Sequence, residues 1–256
     1  MGSAFSIGNA RVFDGTALSA PRSVHLADGL IVDVPRADSV TMDAAGAALI
    51  PGLIDAHVHV DAPGQAGTLA HWGVTTALDM AAKDLSIIAG LRGRGGAAEI
   101  LTAGSPAGPA HGTHIKRMGY SASIGITKPS DAEAWVAARV AEGSDYIKVL
   151  LEPSIPLQPK PLDPKTAAAI VVAAHAVGKK VIAHTTTAKT AEIALAAGVD
   201  AITHIPLGEV LSASFAQQVA AAGVVVIPTM SMMQGIAADW PFPVKPPGVS
   251  FDKVIE

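Results

Sequence analysis

The 256-residue sequence contains no cysteine, which excludes disulfides and thiolate metal sites. Aromatic residues make up only 4% and charged residues 16%. There is no basic run and no interleaving of aromatic with basic residues, and the net charge is −4. Nucleic acid and acidic membranes are therefore not expected partners. No apolar run reaches the ~18 residues of a membrane span. The most apolar stretch, Ala167 to Val177, is interrupted by His175 and reads as a buried, Ala-rich helix. Residues Met1 to Ser6 lack a charged segment leading into an apolar one, so no signal peptide is expected, and the cytoplasm is the expected compartment. A Gly-x-Ser-x-Gly elbow, a phosphate-binding P-loop and a Gly-x-Gly-x-x-Gly opening a helix are all missing.

What is present is a chain half hydrophobic, rich in Ala, Gly and Val. That suits close-packed α/β layers. Residues 1–50 read as a small antiparallel sheet: Ala10-Arg-Val-Phe precedes Asp14-Gly15, and Ser23-Val-His-Leu precedes Asp28-Gly29 and Leu30-Ile-Val. From Ala48 onward, short apolar strands alternate with helical stretches, the pattern of parallel βα units. Strands are predicted at Ala48–Ile54, Val74–Leu78, Glu99–Thr102, Tyr146–Leu150, Val181–Ala183, Ala201–Thr203 and Val224–Pro228. Helices are predicted over Gly67–Trp72, Leu85–Arg92, Asp131–Glu142, Pro164–Val177, Lys189–Ala197 and Ser212–Ala222. Gly143, Gly178, Gly198 and Gly223 each fall just past a predicted helix, where a left-handed residue closes it. The expected architecture is a (β/α)8 TIM-type barrel over 51–256 with a small sheet domain over 1–50. A closed barrel of this kind takes about eight strands, and no eighth apolar strand is legible in Ser231–Glu256. The expectation is that another polypeptide, a longer chain or this proline-rich tail completes it.

The residues that carry chemistry begin at His57 and His59. At strand spacing they point the same way and form a chelating pair. The plainer alternative is a pair of strand histidines satisfied by hydrogen bonds. Lys148 is a charge inside the apolar run Tyr146-Ile-Lys-Val-Leu-Leu151. Burying an unpaired ammonium is costly. Either a carboxylate pairs with it, or it has become a carbamate through carbon dioxide, an anion able to bridge two cations. His184 and His204 close two later predicted strands. All five residues fall on the C-terminal rim, where barrel enzymes place their sites. A long Gly- and Pro-rich segment, Ala103–Ser130, holds His111, His114 and Tyr120 and reads as a functional loop or as flexible packing.

Pro51-Gly-Leu-Ile-Asp-Ala-His-Val-His59 closely resembles the strand-one motif of the amidohydrolase superfamily. Tyr146-Ile-Lys148-Val is similar to the carbamylated-lysine motif of its binuclear members, and Val181-Ile-Ala-His184 and Ile202-Thr-His204 sit where its next histidines belong. The segments around Trp72-Gly-Val-Thr-Thr76 and Lys148 look most like prolidase-type, imidazolonepropionase-related and other amide hydrolases. The resemblance implies a metal-dependent hydrolase that cleaves a C–N bond of a small amide, cyclic amide or dipeptide by metal-activated hydroxide. It implies two divalent ions, zinc expected, with His57 and His59 on one, His184 and His204 on the other, and carbamylated Lys148 between them. His114 is a candidate for substrate contact, the alternative being an exposed loop histidine. A homo-oligomer is expected.

The sequence departs from the family in lacking the strand-eight Asp that would bind metal and pass a proton. Asp239 and Asp252 have no apolar strand before them. Two other readings follow: a non-catalytic barrel chain that needs a second polypeptide, or a mononuclear deaminase or deacetylase. Deaminases carry a Glu soon after the strand-five histidine. Here His184 is followed by Thr185-Thr-Thr, which argues against them.

Overall fold

A computed structural model describes residues 4–110, 112, 115–116, 119–152, 161–206 and 210–233. The chain folds as two compact units, Met1–Leu53 and Ile54–Glu256. Among the described residues, no helix is long and apolar enough to cross a membrane.

The first unit is a five-stranded sheet in the order β3-β2-β1-β4, with β5 also on β1. Its strands are β1 (Ala4–Val12), β2 (Arg22–Ala27), β3 (Leu30–Val32), β4 (Val40–Asp43) and β5 (Ala48–Leu49). β1–β2 and β2–β3 are antiparallel, as the Asp-Gly turns require. β4 and β5, however, run parallel to β1, so the sheet is mixed and the all-antiparallel expectation is corrected. Residue alternation encodes which face a side chain takes, not the direction of a partner strand.

The second unit holds β6 (Leu53–Val58), β7 (Val74–Asp79), β8 (Glu99–Thr102), β9 (Ile147–Leu151), β10 (Val181–Thr185), β11 (Ala201–Thr203) and β12 (Val225–Ile227). Between them lie α1 (Gln65–His71), α2 (Leu85–Leu91), α3 (Ala132–Ala141), α4 (Pro164–Ala176), α5 (Ala188–Ala197) and α6 (Ala213–Ala221). The expected strand Ala48–Ile54 is divided. Proline has no N–H for a ladder, so the Pro51-Gly52 break ends β5, and β6 starts afresh at Leu53. The helix expected at Gly67 begins earlier, because the Gln65 side chain accepts from the backbone N–H groups of Asp61 and Ala62 at 2.7 and 2.9 Å. Thr187 and Thr190 cap α5 reciprocally, and Gly198 closes it at φ 82°.

Strand order is β6-β7-β8 in one sheet and β12-β11-β10-β9 in the other. The pairs β7–β8, β9–β10, β10–β11 and β11–β12 are parallel. On the helix side, Ile147, Val149 and Leu151 of β9 pack with Val181, Ala183, Ile202 and the buried faces of α3 to α6. On the other side, Met80, Ala103, Tyr146, Ile182, Ala201 and Ile227 form one cluster that Ala56, Leu78 and Leu101 join. Both sheets therefore bury a face on a common interior, with helices outside. Closure into a barrel is not observed: β6 and β12 end their sheets, and among the described residues no strand follows β12.

Candidate active site

His57 lies within β6 and His59 one residue beyond its end. Their ring centroids are 5.5 Å apart, as same-face residues of a strand should be. The chain of rings continues from His57 to His204 at 4.7 Å, and from His204 to His184 at 4.5 Å. Four histidines from three separate stretches of the sequence thus form one continuous cluster. His184 occupies β10 and His204 follows β11; both are buried.

Lys148 lies in the all-buried β9, and its side chain is shut away from water with only 2% of the residue exposed. Its Nζ donates to Met80 Sδ at 3.3 Å, a thioether rather than the carboxylate that a structural ion pair would require. Burial lowers its pKa to about 7, opposed by the charge of Asp79. His57 is pushed down to about 2, first by burial, then by Lys148 and the other three histidines. Burial likewise lowers the pKa of His59, so His57 and His59 favour the neutral form with a lone pair.

Each ring is held from behind. His59 Nδ1 meets the Ala81 carbonyl at 3.4 Å; a carbonyl only accepts, so the proton sits on Nδ1 and the lone pair on Nε2. His57 Nδ1 is 2.6 Å from Thr203 Oγ1, and His204 Nδ1 is 2.7 Å from Thr229 Oγ1. His204 and Thr229 both have left-handed backbones, at φ 74° and 49°. Such strain in non-glycine residues costs about 1–3 kcal/mol and concentrates at functional sites. Here it is stabilised by the bond from His204 N to Ile227 O at 2.9 Å.

Asp79, the last residue of β7, is fully buried and ties strand ends together. Its carboxylate accepts from Val60 N at 2.9 Å and from Thr102 Oγ1 at 2.5 Å. His25, His71 and His175 lie outside the cluster; they contact Ser6, Trp72 and Asp200 respectively. His114, Asp239 and Asp252 lie outside the described residues.

Sequence reasoning passed over Glu152. It follows β9 and contacts His184 Nε2 through Oε1. The signal was available: Lys148, Leu150 and Glu152 follow one another at the i, i+2 spacing of a strand face, although the strand itself ends at Leu151. Thr203 and Thr229 were also passed over, since isolated threonines carry no such signal.

The donor set suits divalent cations: four imidazoles and a buried amine that a carbamate would convert into an anionic ligand. Among the described residues, no three His, Asp or Glu side chains form a ready metal cage.

No protein-family model matches the chain, and no curated protein matches it. Solved structures do. An amidohydrolase aligns with TM-score 0.76 at 19% identity, covering 96% of this chain and 71% of its own. A Xaa-Pro dipeptidase with bound methionine aligns at 0.76 and 21%, covering 94% and 70%. The A. niger ochratoxinase aligns at 0.73 and 17%, covering 93% and 68%. The chain shares the fold of these solved hydrolases.

Proposed function

We propose that residues 51–256 are the metal-binding body of a (β/α)8-type amidohydrolase, with residues 1–50 as its accessory sheet domain. Its reaction is hydrolysis of a C–N bond in a small amide, cyclic amide or dipeptide-like substrate. The observation that carries this reading is the histidine cluster beside a buried lysine that has no carboxylate partner among the described residues, at the strand ends of this fold. His57 and His59 would hold one divalent ion, zinc expected, and His184 and His204 a second. Lys148, as a carbamate, would bridge them. Bound ions of this kind lower the pKa of water and polarise a carbonyl. The chain's own residues prepare the site. A pKa near 7 leaves much of Lys148 as the neutral amine that bonds to carbon dioxide, losing one N–H proton. Ala81 turns the His59 lone pair inward, and Thr203 and Thr229 hold His57 and His204 in place. The dipeptidase and a prolidase bound to an N-methylphosphonate-L-proline, both similar in fold, support a small-amide substrate.

A second reading concerns completeness. Val225 and Val226 of β12 and Ile54 of β6 are exposed at the ends of their sheets. That favours a chain whose turnover requires a further strand, with its Asp, from a second polypeptide. Metal analysis of protein purified without chelator tests the first reading, with about two ions per chain expected. Lys148→Ala should lose most of that metal, and unchanged occupancy would refute the bridge. Amide hydrolysis by this chain alone at ordinary rates would count against the second reading.

A further inference from the structure

We infer that Glu152 is the positioning residue of His184, setting which ring nitrogen that histidine offers to the metal site. This rests on the binuclear reading above. The Glu152 carboxylate meets Nε2 of His184, whereas His57, His59 and His204 are all held at Nδ1. A carboxylate accepts, so Nε2 carries the proton and the lone pair of His184 lies on Nδ1. His184 is thereby presented in the opposite sense to His59, whose lone pair is on Nε2.

The pair is no surface salt bridge. Only 10% of either side chain is exposed. The second carboxylate oxygen accepts from Thr186 Oγ1 at 3.4 Å, which limits rotation of Glu152. Both ends of the contact are anchored by strands: Glu152 directly follows β9, and His184 lies within β10, opposite Leu150 in the parallel register. Because Glu152 directly follows β9, the strand that carries Lys148 also leads into the group that orients the neighbouring histidine. Carboxylates behind metal-bound histidines typically raise metal affinity about 10- to 100-fold.

The test compares wild type, Glu152→Gln and Glu152→Ala by zinc titration of chelator-treated protein and by ¹⁵N NMR of histidine-labelled, zinc-free protein. Glu152→Ala should weaken one of the two zinc sites by about 10- to 100-fold and leave the other unchanged. Glu152→Gln keeps a carbonyl oxygen for Nε2–H and should restore most of the loss. The NMR spectrum should show His184 as the Nε2–H tautomer in wild type and Glu152→Gln, and as a mixture in Glu152→Ala. Wild-type affinity in Glu152→Ala, or His184 as the Nδ1–H tautomer or an imidazolium in wild type, would overturn the inference. So would a glutamine variant as weak as the alanine one, because the carboxylate would then be a ligand itself. Failure of wild type to bind zinc would sink the binuclear reading alone, since the tautomer of zinc-free protein still decides the role of Glu152.

Discussion

Asp79 shows how one buried carboxylate serves two strands. It accepts the Val60 N–H and the Thr102 hydroxyl while its residue is wholly buried. Burial raises its pKa above the ordinary 3.8, and the two hydrogen bonds oppose that rise. Asp79→Ala leaves the Val60 N–H and the Thr102 hydroxyl without their acceptor, at about 1–3 kcal/mol for each group. Asp79→Asn keeps one carbonyl acceptor and should lose less. The pH dependence has a definite sign. A carboxyl with a raised pKa holds its proton more tightly folded than unfolded. Its contribution is complete below pH 3.8 and declines as pH rises through the folded value. The stability of wild type relative to Asp79→Asn should therefore fall from acid toward neutral pH in urea titrations. A difference that grows with pH would mean that the hydrogen bonds outweigh burial. The clustered histidines and the buried lysine could be singled out because each breaks an apolar pattern: His57 and His59 by spacing, Lys148 by charge, His184 and His204 by position. Glu152 was harder to read, because a charge just past a strand is commonplace and its partner lies 32 residues away.

At the scale of elements, α4 gives a controlled comparison within one helix. Ile170 is fully buried in the outer core, while Val172, two residues on, is 69% exposed. Successive residues on a helix turn by about 100°, so these two face opposite ways. Ile170→Ala should cost about 2–5 kcal/mol through lost contacts and an unfilled cavity. Val172→Ala should stay within about 0.5 kcal/mol of wild type. Equal shifts in their urea midpoints would contradict the packing described for α4. Helix and strand positions in the second unit were largely readable, because C-terminal glycines, caps and period changes fall at each boundary. Two features were not. The division of β5 from β6 depended on where backbone N–H groups find partners, and the parallel pairing of β4 and β5 with β1 depended on contacts remote in sequence. Local patterns contain neither.

For the whole molecule, the outermost strands of the second unit set its behaviour in solution. Val225 and Val226 are 58% and 49% exposed, and neighbouring strand residues point to opposite faces. Among the described residues β12 is the last strand of its sheet, exposed at Val225 and Val226 while Ile227 is buried in the interior cluster. Ile54, on the end strand β6, is 66% exposed. Unpaired strand edges with apolar side chains recruit other strands unless they are shortened, charged or covered. At three residues β12 is short, but it carries no charge. The isolated chain should therefore associate with itself, in keeping with the oligomer expected from its sequence, and its mass by light scattering should rise with concentration. Added salt should not reverse this, because the contact is apolar and through backbone hydrogen bonds rather than ionic. Val226→Lys places a charge on that edge and should lower the apparent mass. Val172→Lys, an equally polar change on an exposed helix face, should not. A constant monomer mass across the concentration range would show that the exposed β12 edge does not recruit partners.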